Sequence, residues 1–151
     1  MNRASGFKLL GAPIGDTNFE KEVMAQKISQ TEQLIDKLNI IEDPHTEFVL
    51  LRNCLALPKI SYITRTVDPR PHQELMKRFD NAVRNSMERM IGGPIDDEKW
   101  TQASLPVSMG GLGLRNAESN SLGAFVSSLC ESSPIIEEIL GQEKTNLPWN
   151  N

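Results

Sequence analysis

The chain has 151 residues, of which 38% are hydrophobic, enough for one domain with a buried core and no disulfide staples. Its formal net charge of −4 excludes a protein that is basic over its whole surface. No stretch has the apolar length of a signal peptide or a membrane span, so we expect an intracellular protein, cytoplasmic or nuclear, without a membrane partner.

The first element that the sequence predicts is one short strand over residues 7–10. These residues are mostly apolar, and Pro13 and Gly15 mark a turn after them. A lone strand cannot satisfy its own edges, and no later segment offers a convincing partner. We therefore expect the chain to begin inside a larger fold.

A long helix is predicted next, and either Asp16 or Thr17 can cap its start. Glu20 and Glu22 complement the positive end of its dipole. Its apolar positions step by three and four residues, which is the spacing of one helical face. That face comprises Met24, Ile28, Thr31, Ile35 and Leu38.

Two prolines frame the second predicted helix. Pro44 suits a first turn, where its missing N–H has no partner, and Pro58 should break or kink the helix near Leu57. The residues expected to share one face are Phe48, Leu51, Leu55 and Tyr62.

A third helix follows and ends at Gly92 and Gly93, which can adopt the left-handed conformation of a helix cap. Its predicted core face consists of Leu75, Phe79, Ala82, Val83, Met87 and Met90.

Three more helices complete the predicted fold. The first is capped by Asp96 and ends before Pro106, the second covers residues 117–130, and the third begins at Ser133 and Pro134 and ends at Gly141. The prediction is a mainly α fold, a bundle of about five to six helices with one short N-terminal strand. Its parts are a strand and turn at 1–15, a helical domain at 16–141 and a loose tail at 142–151.

The sequence contains no arrangement that predicts catalysis, a cofactor or a metal site. His45 and His72 lie near helix starts in polar company, where a solvated capping position is expected. The acidic residues 96–98 are explained by capping, because adjacent helical side chains splay about 100° apart and do not converge on a metal. Cys54 and Cys130 lie in apolar stretches and are expected to be small buried hydrophobes in a reduced protein.

The stretch QASLPVSMGGLGLR, residues 102–115, has three glycines within four positions. It lacks the spacing of a dinucleotide-binding loop, and Leu112 and Leu114 alternate with glycine as packing residues do. We expect an extended segment against the helices, whose glycines allow a close backbone approach or a positive φ. Arg115 is the one candidate phosphate contact here.

Charge is unevenly distributed along the chain. Residues 16–47 carry eight acidic and three basic side chains, whereas residues 52–89 carry four acidic and eight basic ones. Within the basic segment Lys77 and Arg84 lie one heptad apart, and Arg70 lies seven residues before them. Such a stripe can follow a phosphate backbone, and it is also typical of an ordinary solvated helix face.

Four stretches together resemble a known family. They are GFKLLGAPIGD (6–16), LLRNCLALPKISYITRT (50–66), RFDNAVRNSMERMIGGPIDDEKWTQASLPVSMGGLGLRNA (78–117) and AFVSSL (124–129). In order and spacing they resemble reverse transcriptases of non-LTR retrotransposons, in the part downstream of the catalytic palm. The run from W-x-QA-x-LPV through GGLGLR is the most specific piece.

The resemblance implies a thumb-like role for the helices, which in such enzymes close over the primer–template duplex. The partners it implies are the backbone of an RNA–DNA or DNA duplex and the palm and fingers of the polymerase, whose sheet would explain the lone strand. The residues implied to contact phosphate are Arg52, Lys59, Arg65, Lys77 and Arg84, joined by Arg115. The counterpart of a primer-grip element is Phe7, Lys8, Leu9, Leu10 and Gly11.

The sequence departs from the family in its chemistry. Polymerisation in that family needs paired aspartates in a [YF]xDD turn, whereas the only adjacent aspartates here, Asp96 and Asp97, follow the thumb-like helices. We therefore expect a reverse transcriptase fragment with no polymerase activity of its own.

Two further expectations follow from a thumb without its palm. Apolar surface should be exposed at the leading strand and turn, which favours self-association. The residues concerned are Phe7, Leu9, Leu10 and Ile14. The net charge of −4 favours an alternative, a helical protein-interaction or scaffold domain with no nucleic-acid role.

Overall fold

The computed structural model describes residues 6–140, and the predicted tail at 142–151 lies outside them. This part of the chain is mainly helical, which confirms the predicted fold class. None of its helices is long and apolar enough to cross a bilayer. The elements in chain order are β1 Gly6–Leu9, β2 Ala12–Gly15, α1 Thr17–Asp36, α2 Pro44–Leu50, α3 Leu57–Thr66, α4 Gln73–Ile91, α5 Asp97–Ser104 and α6 Ala117–Leu140. The predicted division into parts at residues 15 and 141 stays a prediction.

The leading strand has a partner, so the expectation of a lone strand is wrong. β1 pairs antiparallel with β2, and Lys8 lies opposite Pro13 in the register. The connection is only Leu10 and Gly11, both with positive φ (50° and 91°), as tight hairpins require. Pro13 marks a turn in the sequence, but a proline is tolerated in a strand that lies at a sheet edge.

The hydrophobic core is built mainly from α1, α3 and α4, and α6 adds Ala117 at its start. α1 packs against α4, and α6 packs against both α3 and α4. All five positions of the predicted α1 face are buried. On α4, Leu75, Phe79 and Val83 are buried, and Met87 and Met90 pack half-buried against them. The helical periodicity therefore identified the core face of α1 and most of that of α4, where Ala82 is only half-buried and the fully buried Met76 was missed.

The break before Pro58 is confirmed. α2 continues into a π-helical turn at Leu51–Leu55, and Ala56 then leaves helical geometry with ψ of −137° before α3 begins. This break redirects the chain. Leu51 is buried as predicted, whereas Tyr62, expected on the same face, is 51% exposed.

The predicted helix ends are confirmed at four positions. Asp16 accepts a hydrogen bond from the backbone N–H of Phe19 (2.8 Å), and Asp96 accepts one from that of Lys99 (2.8 Å). Each carboxylate satisfies a donor that the first helical turn leaves without an intrahelical partner. Pro44 opens α2, and Gly92 closes α4 in the left-handed conformation with φ of 74°.

The predicted division of the last helical segment at Ser133 and Pro134 is wrong. α6 is one helix, and Pro134 lies inside it. A proline removes only its own N–H from the helical hydrogen-bond pattern and crowds one carbonyl, so a long helix can continue through it.

Three expectations about single side chains are also corrected. Cys54 and Cys130 are exposed, because each lies on the outer side of a helical segment whose other side packs inward. His72 was expected to be solvated like the exposed His45, but its side chain is buried. Its Nε2 lies 3.4 Å from Oε2 of Glu20, which joins the start of α4 to α1.

The glycines have the structural role that the sequence predicts, but the expected extended segment is interrupted by a 3-10 turn at Val107–Met109. Gly110 and Gly113 have φ of 80° and 72°, and a Cβ on Gly111 would lie 2.1 Å from the carbonyl oxygen of Leu105. The backbone N–H of Gly113 donates to that same oxygen at 2.9 Å. Side chains at these positions would strain the backbone or clash, which explains the glycines without a ligand.

A buried carboxylate on α4 fixes the start of α6. Asp80 is 6% exposed and accepts hydrogen bonds from the backbone N–H groups of Ala117 (2.7 Å) and Glu118 (2.9 Å). Burial raises the pKa of Asp80 to about 6, against the lowering effect of those two bonds, and the nearby charge of Glu118 raises it too. Asp80 thereby ties α4 to the helix that packs along α3.

The raised pKa of Asp80 predicts a pH dependence of stability. The folded state disfavours ionisation of Asp80, so the protonated group contributes its full stabilisation below the unfolded pKa of 3.8. This contribution is lost as pH rises through about 6. Relative to the Asp80→Asn variant, which cannot ionise, the wild type should therefore gain up to about 3 kcal/mol in free energy of unfolding between pH 7 and pH 4. Urea denaturation of both proteins across that range measures this difference. A difference that does not change with pH would contradict it.

Candidate nucleic-acid interface

The structure divides the six predicted phosphate-contacting residues into two groups. Arg65, Lys77 and Arg84 make ion pairs with carboxylates. Arg52, Lys59 and Arg115 have no carboxylate partner within residues 6–140. The two groups also lie in different places, because the second group lines two clefts that border α3.

The paired group is tied into the fold. Nη2 of Arg65 lies 2.8 Å from Glu131 of α6, and Nζ of Lys77 lies 3.5 Å from Glu118. Exposed pairs of this kind contribute little stability, but they balance the charge that a phosphate would otherwise meet.

Arg84 is the most enclosed cation of that group. Its side chain is 23% exposed, and its Nη1 lies 2.7 Å from Oδ1 of Asp97 and its Nε 3.5 Å from Oε1 of Glu88. Its guanidinium carbon lies 6.0 Å from the ring centroid of Trp100, within cation–π range. The hydrogen bond to Asp97 raises the pKa of Arg84, so the residue joins α4 to α5 as a fixed charge. The stripe of Lys77 and Arg84 is thus largely neutralised.

The first cleft, which we call the arginine cleft, has a volume of about 490 Å³ and lies between Arg52 and Arg115. Its walls come from the break before α3, the first turns of α3 and the segment after α5. Nε of Arg52 donates to Oδ1 of Asn53 at 3.1 Å, and its guanidinium carbon lies 5.8 Å from the ring centroid of Phe48. Arg52 is therefore held in place although it has no carboxylate partner.

The second cleft, which we call the lysine cleft, has a volume of about 370 Å³ and lies on the other side of α3. Lys8 of the hairpin, Lys27 of α1 and Lys59 of α3 line it. None of the three forms an ion pair in the described part of the chain. Sequence reasoning missed Lys27, which is not among the predicted phosphate-contacting residues.

The two clefts together form one basic surface around α3. Pro58 and Ser61 line the arginine cleft, and Lys59 and Tyr62 line the lysine cleft, so the exposed side of one helix borders both. We call the five unpaired cations of this surface the cationic face. They are Lys8, Lys27, Arg52, Lys59 and Arg115.

The residues predicted to resemble a primer grip, 7–11, lie in the hairpin, which supplies Lys8 to this face. The hydroxyl of Tyr62 donates to the carbonyl oxygen of Leu10 at 2.9 Å, and a Cβ on Gly11 would lie 3.7 Å from the tyrosine ring. This contact holds the tip of the hairpin against α3. Phe7, Leu9 and Leu10 are exposed by 58%, 52% and 90%, which confirms the predicted exposure of apolar surface. Self-association stays a prediction.

Few side chains in the described residues are placed for metal binding or catalysis. Within residues 6–140, no cluster of three or more His, Cys, Asp or Glu side chains could hold a metal ion. The adjacent aspartates have local roles, since Asp96 caps α5 and Asp97 pairs with Arg84.

Comparison with known proteins gives one partial similarity. The chain is 35% identical over 60 residues to the retrotransposable element SLACS 132 kDa protein of Trypanosoma brucei gambiense. The match links part of this chain to a retrotransposon protein. The matched residues are 40% of this chain and 5% of the relative, so the chain spans only a small part of that protein's length. No family model matches the sequence, and no solved structure matches it.

The bond between Tyr62 and Leu10 can be tested directly. The Tyr62→Phe variant keeps the ring but removes the donor, which should weaken the attachment of the hairpin by about 0.5–1.5 kcal/mol. We expect amide hydrogen exchange at β1 and β2 to accelerate about two- to tenfold, while α1 and α4 exchange as in the wild type. Unchanged exchange in the hairpin would contradict the assigned role of this bond.

Proposed function

We propose that this chain is a helical nucleic-acid-binding module of retroelement origin, related to the thumb region of a reverse transcriptase. In this proposal it contacts the backbone of a primer–template duplex through the cationic face. The observation that carries the proposal is the gathering of five cations without carboxylate partners on the two sides of α3. The resemblance of the sequence blocks and the partial similarity to a retrotransposon protein support the same origin.

The arrangement of charge suits contact with phosphates. Each cation that replaces a counterion on a phosphate releases that ion, so binding is strong at low salt and does not depend on base sequence. The net charge of −4 does not oppose this, because many carboxylates are paired with other cations or cap helices elsewhere. The cationic face would then be a local basic surface on an acidic molecule.

The position of the hairpin adds to the proposal. Lys8 and the turn at Leu10 and Gly11 border the same cleft as Lys59. A duplex lying across the lysine cleft would therefore meet the primer-grip-like segment and the helical bundle together. This is the arrangement expected of a thumb that follows directly on the primer-grip strand.

A second candidate function is a protein-interaction domain, favoured by the exposed apolar side chains. Leu10 is 90% exposed, and on α6 Ile135 and Ile139 are 59% and 76% exposed. Such surface is typical of an interface with another chain. Self-association in solution, with no affinity for nucleic acid, would favour this candidate.

The cationic face predicts which substitutions weaken duplex binding. The triple variant Arg52→Gln, Lys59→Gln, Arg115→Gln should bind an RNA–DNA hybrid at least tenfold more weakly at 50 mM salt. Its plot of log affinity against log salt should be shallower by about 2–3, since up to three phosphate contacts are lost. Fluorescence anisotropy with a labelled hybrid measures both quantities.

A matched control separates this surface from charge in general. The triple variant Lys77→Gln, Arg78→Gln, Arg89→Gln removes the same charge from cations that are ion-paired. Its affinity should stay within about threefold of the wild type, the small loss reflecting long-range attraction. Equal losses in both triple variants, or no binding by the wild type, would reject the cationic face as the interface.

We also propose that polymerase chemistry lies outside this chain. Its one adjacent pair of aspartates is engaged at the start of α5, where Asp97 holds Arg84. A primer–template with magnesium or manganese and all four deoxynucleotides should therefore give no extended product in the presence of this chain. An extended product that is lost in an Asp96→Asn, Asp97→Asn variant would overturn this part of the proposal.

A further inference from the structure

The arginine cleft has a composition that contact with a duplex backbone does not explain. Its lining includes Arg52 and Arg115 but is otherwise largely aliphatic, with Leu57, Pro58, Pro106 and Val107. The phosphates of a duplex backbone are charged and hydrated, and only its sugars offer such walls any apolar surface. A ligand that satisfies the whole cleft must combine an anionic group with a flat, weakly polar body.

The charge of the cleft favours an anion strongly. None of its lining residues is acidic, and neither arginine has a carboxylate partner within residues 6–140. Arg52 is held by Asn53 and lies over the ring of Phe48, so little side-chain freedom is lost when it binds. Arg115 follows the buried Leu114, which fixes the backbone beside it. Both arginines that line the cleft are therefore attached to anchored segments.

The size of the cleft matches a small organic ligand. Its volume of about 490 Å³ falls within the range of about 300–1,000 Å³ that is usual for such sites. Gly113 leaves space at one wall of the cleft, because a Cβ there would lie 3.6 Å from Cδ of Arg52 and 3.8 Å from a methyl of Val107. A nucleobase can lie against the proline and valine surfaces while its phosphate lies between the arginines.

We propose that the arginine cleft binds one unpaired nucleotide at a strand end, with the base against its aliphatic walls and the phosphate between Arg52 and Arg115. This inference rests on the proposed function, because a duplex on the cationic face would bring a strand end to the cleft. Bases inside a duplex are stacked and unavailable, whereas an unpaired base exposes its faces. The cleft therefore distinguishes a frayed or overhanging end from a blunt one.

The test uses substitutions that block the cleft without changing its charge. Ser61 lies on the wall formed by α3, and its hydroxyl donates only to Pro58 of the same helix (2.9 Å), so Ser61→Trp should fill the cleft while the helix is retained. Val107→Trp blocks it from the opposite wall, at a position that is 64% exposed. Ser127→Trp, at an exposed position on α6 away from both clefts, is the matched control.

Affinity is measured for a blunt RNA–DNA hybrid and for the same hybrid with one unpaired nucleotide at either strand end. The wild type and Ser127→Trp should bind one overhanging form about fivefold or more tightly than the blunt form, because the unpaired base removes apolar wall surface from water. Ser61→Trp and Val107→Trp should bind overhanging and blunt forms equally, so the measured quantity is the ratio of the two affinities within each protein.

Each outcome separates this inference from the proposed function. Equal wild-type affinity for blunt and overhanging hybrids overturns the inference and leaves duplex binding intact. An overhang preference that survives both blocking variants overturns it as well.

A nucleoside monophosphate alone is the remaining probe. If it perturbs the amide resonances of Val107 and Gly113 saturably while no hybrid binds, the proposed function fails and the strand-end site fails with it, leaving a site for free nucleotides. If the nucleotide perturbs these resonances only in the wild type and in Ser127→Trp, and both proteins also prefer overhangs, the strand-end assignment is supported.

Discussion

The buried carboxylate of Asp80 is the interaction on which the arrangement of the helices depends. It lies on α4 and accepts the first two N–H groups of α6, so the two helices are joined at one buried point. α6 then packs along α3 and, through Glu131, pairs with Arg65 on it. Because α3 borders both clefts and Arg115 precedes α6 by two residues, the geometry of the cationic face depends on this buried bond.

Ion-paired charges and unpaired cations occupy different parts of this molecule's surface. Its carboxylates outnumber its cations overall, yet several are committed to helix caps or to ion pairs, such as Asp16, Asp96 and Glu32. The cations that remain unpaired in the described residues include five that gather around α3. A net charge calculated from the sequence is therefore a poor guide to what this surface can bind.

Local signals predicted most of the helical structure correctly. Helix caps act within a few residues, so the sequence alone can predict them. Those found here are the carboxylates of Asp16 and Asp96 and the left-handed Gly92. The failures come from longer range. Pro13 marked a turn but pairs in a hairpin, and His72 looked solvated but is covered by packing against α1.

Part of the candidate interface could also be predicted from the sequence. Arg52 and Lys59 have no acidic residue within four positions, whereas Lys77 and Arg84 each have acidic neighbours three or four positions away. That difference is only part of the explanation, because Lys77 pairs with the distant Glu118, whereas Arg115 forms no ion pair in the described residues although Glu118 is three positions away. The partner of Arg65, Glu131, lies 66 positions along the chain, and the meeting of Arg115 with Arg52 depends equally on the tertiary fold. No rule of spacing finds such pairs.

Chemical-shift mapping of the labelled protein with an RNA–DNA hybrid tests the central claim most directly. If the cationic face binds the duplex, the amides that shift at low salt belong to the hairpin turn, the exposed side of α3 and the segment around Gly113 and Arg115. Those shifts should diminish steeply as salt is raised, because counterion release drives the contact. Shifts confined to the outer side of α4 around Arg78 and Arg89, or none at any salt concentration, would contradict it.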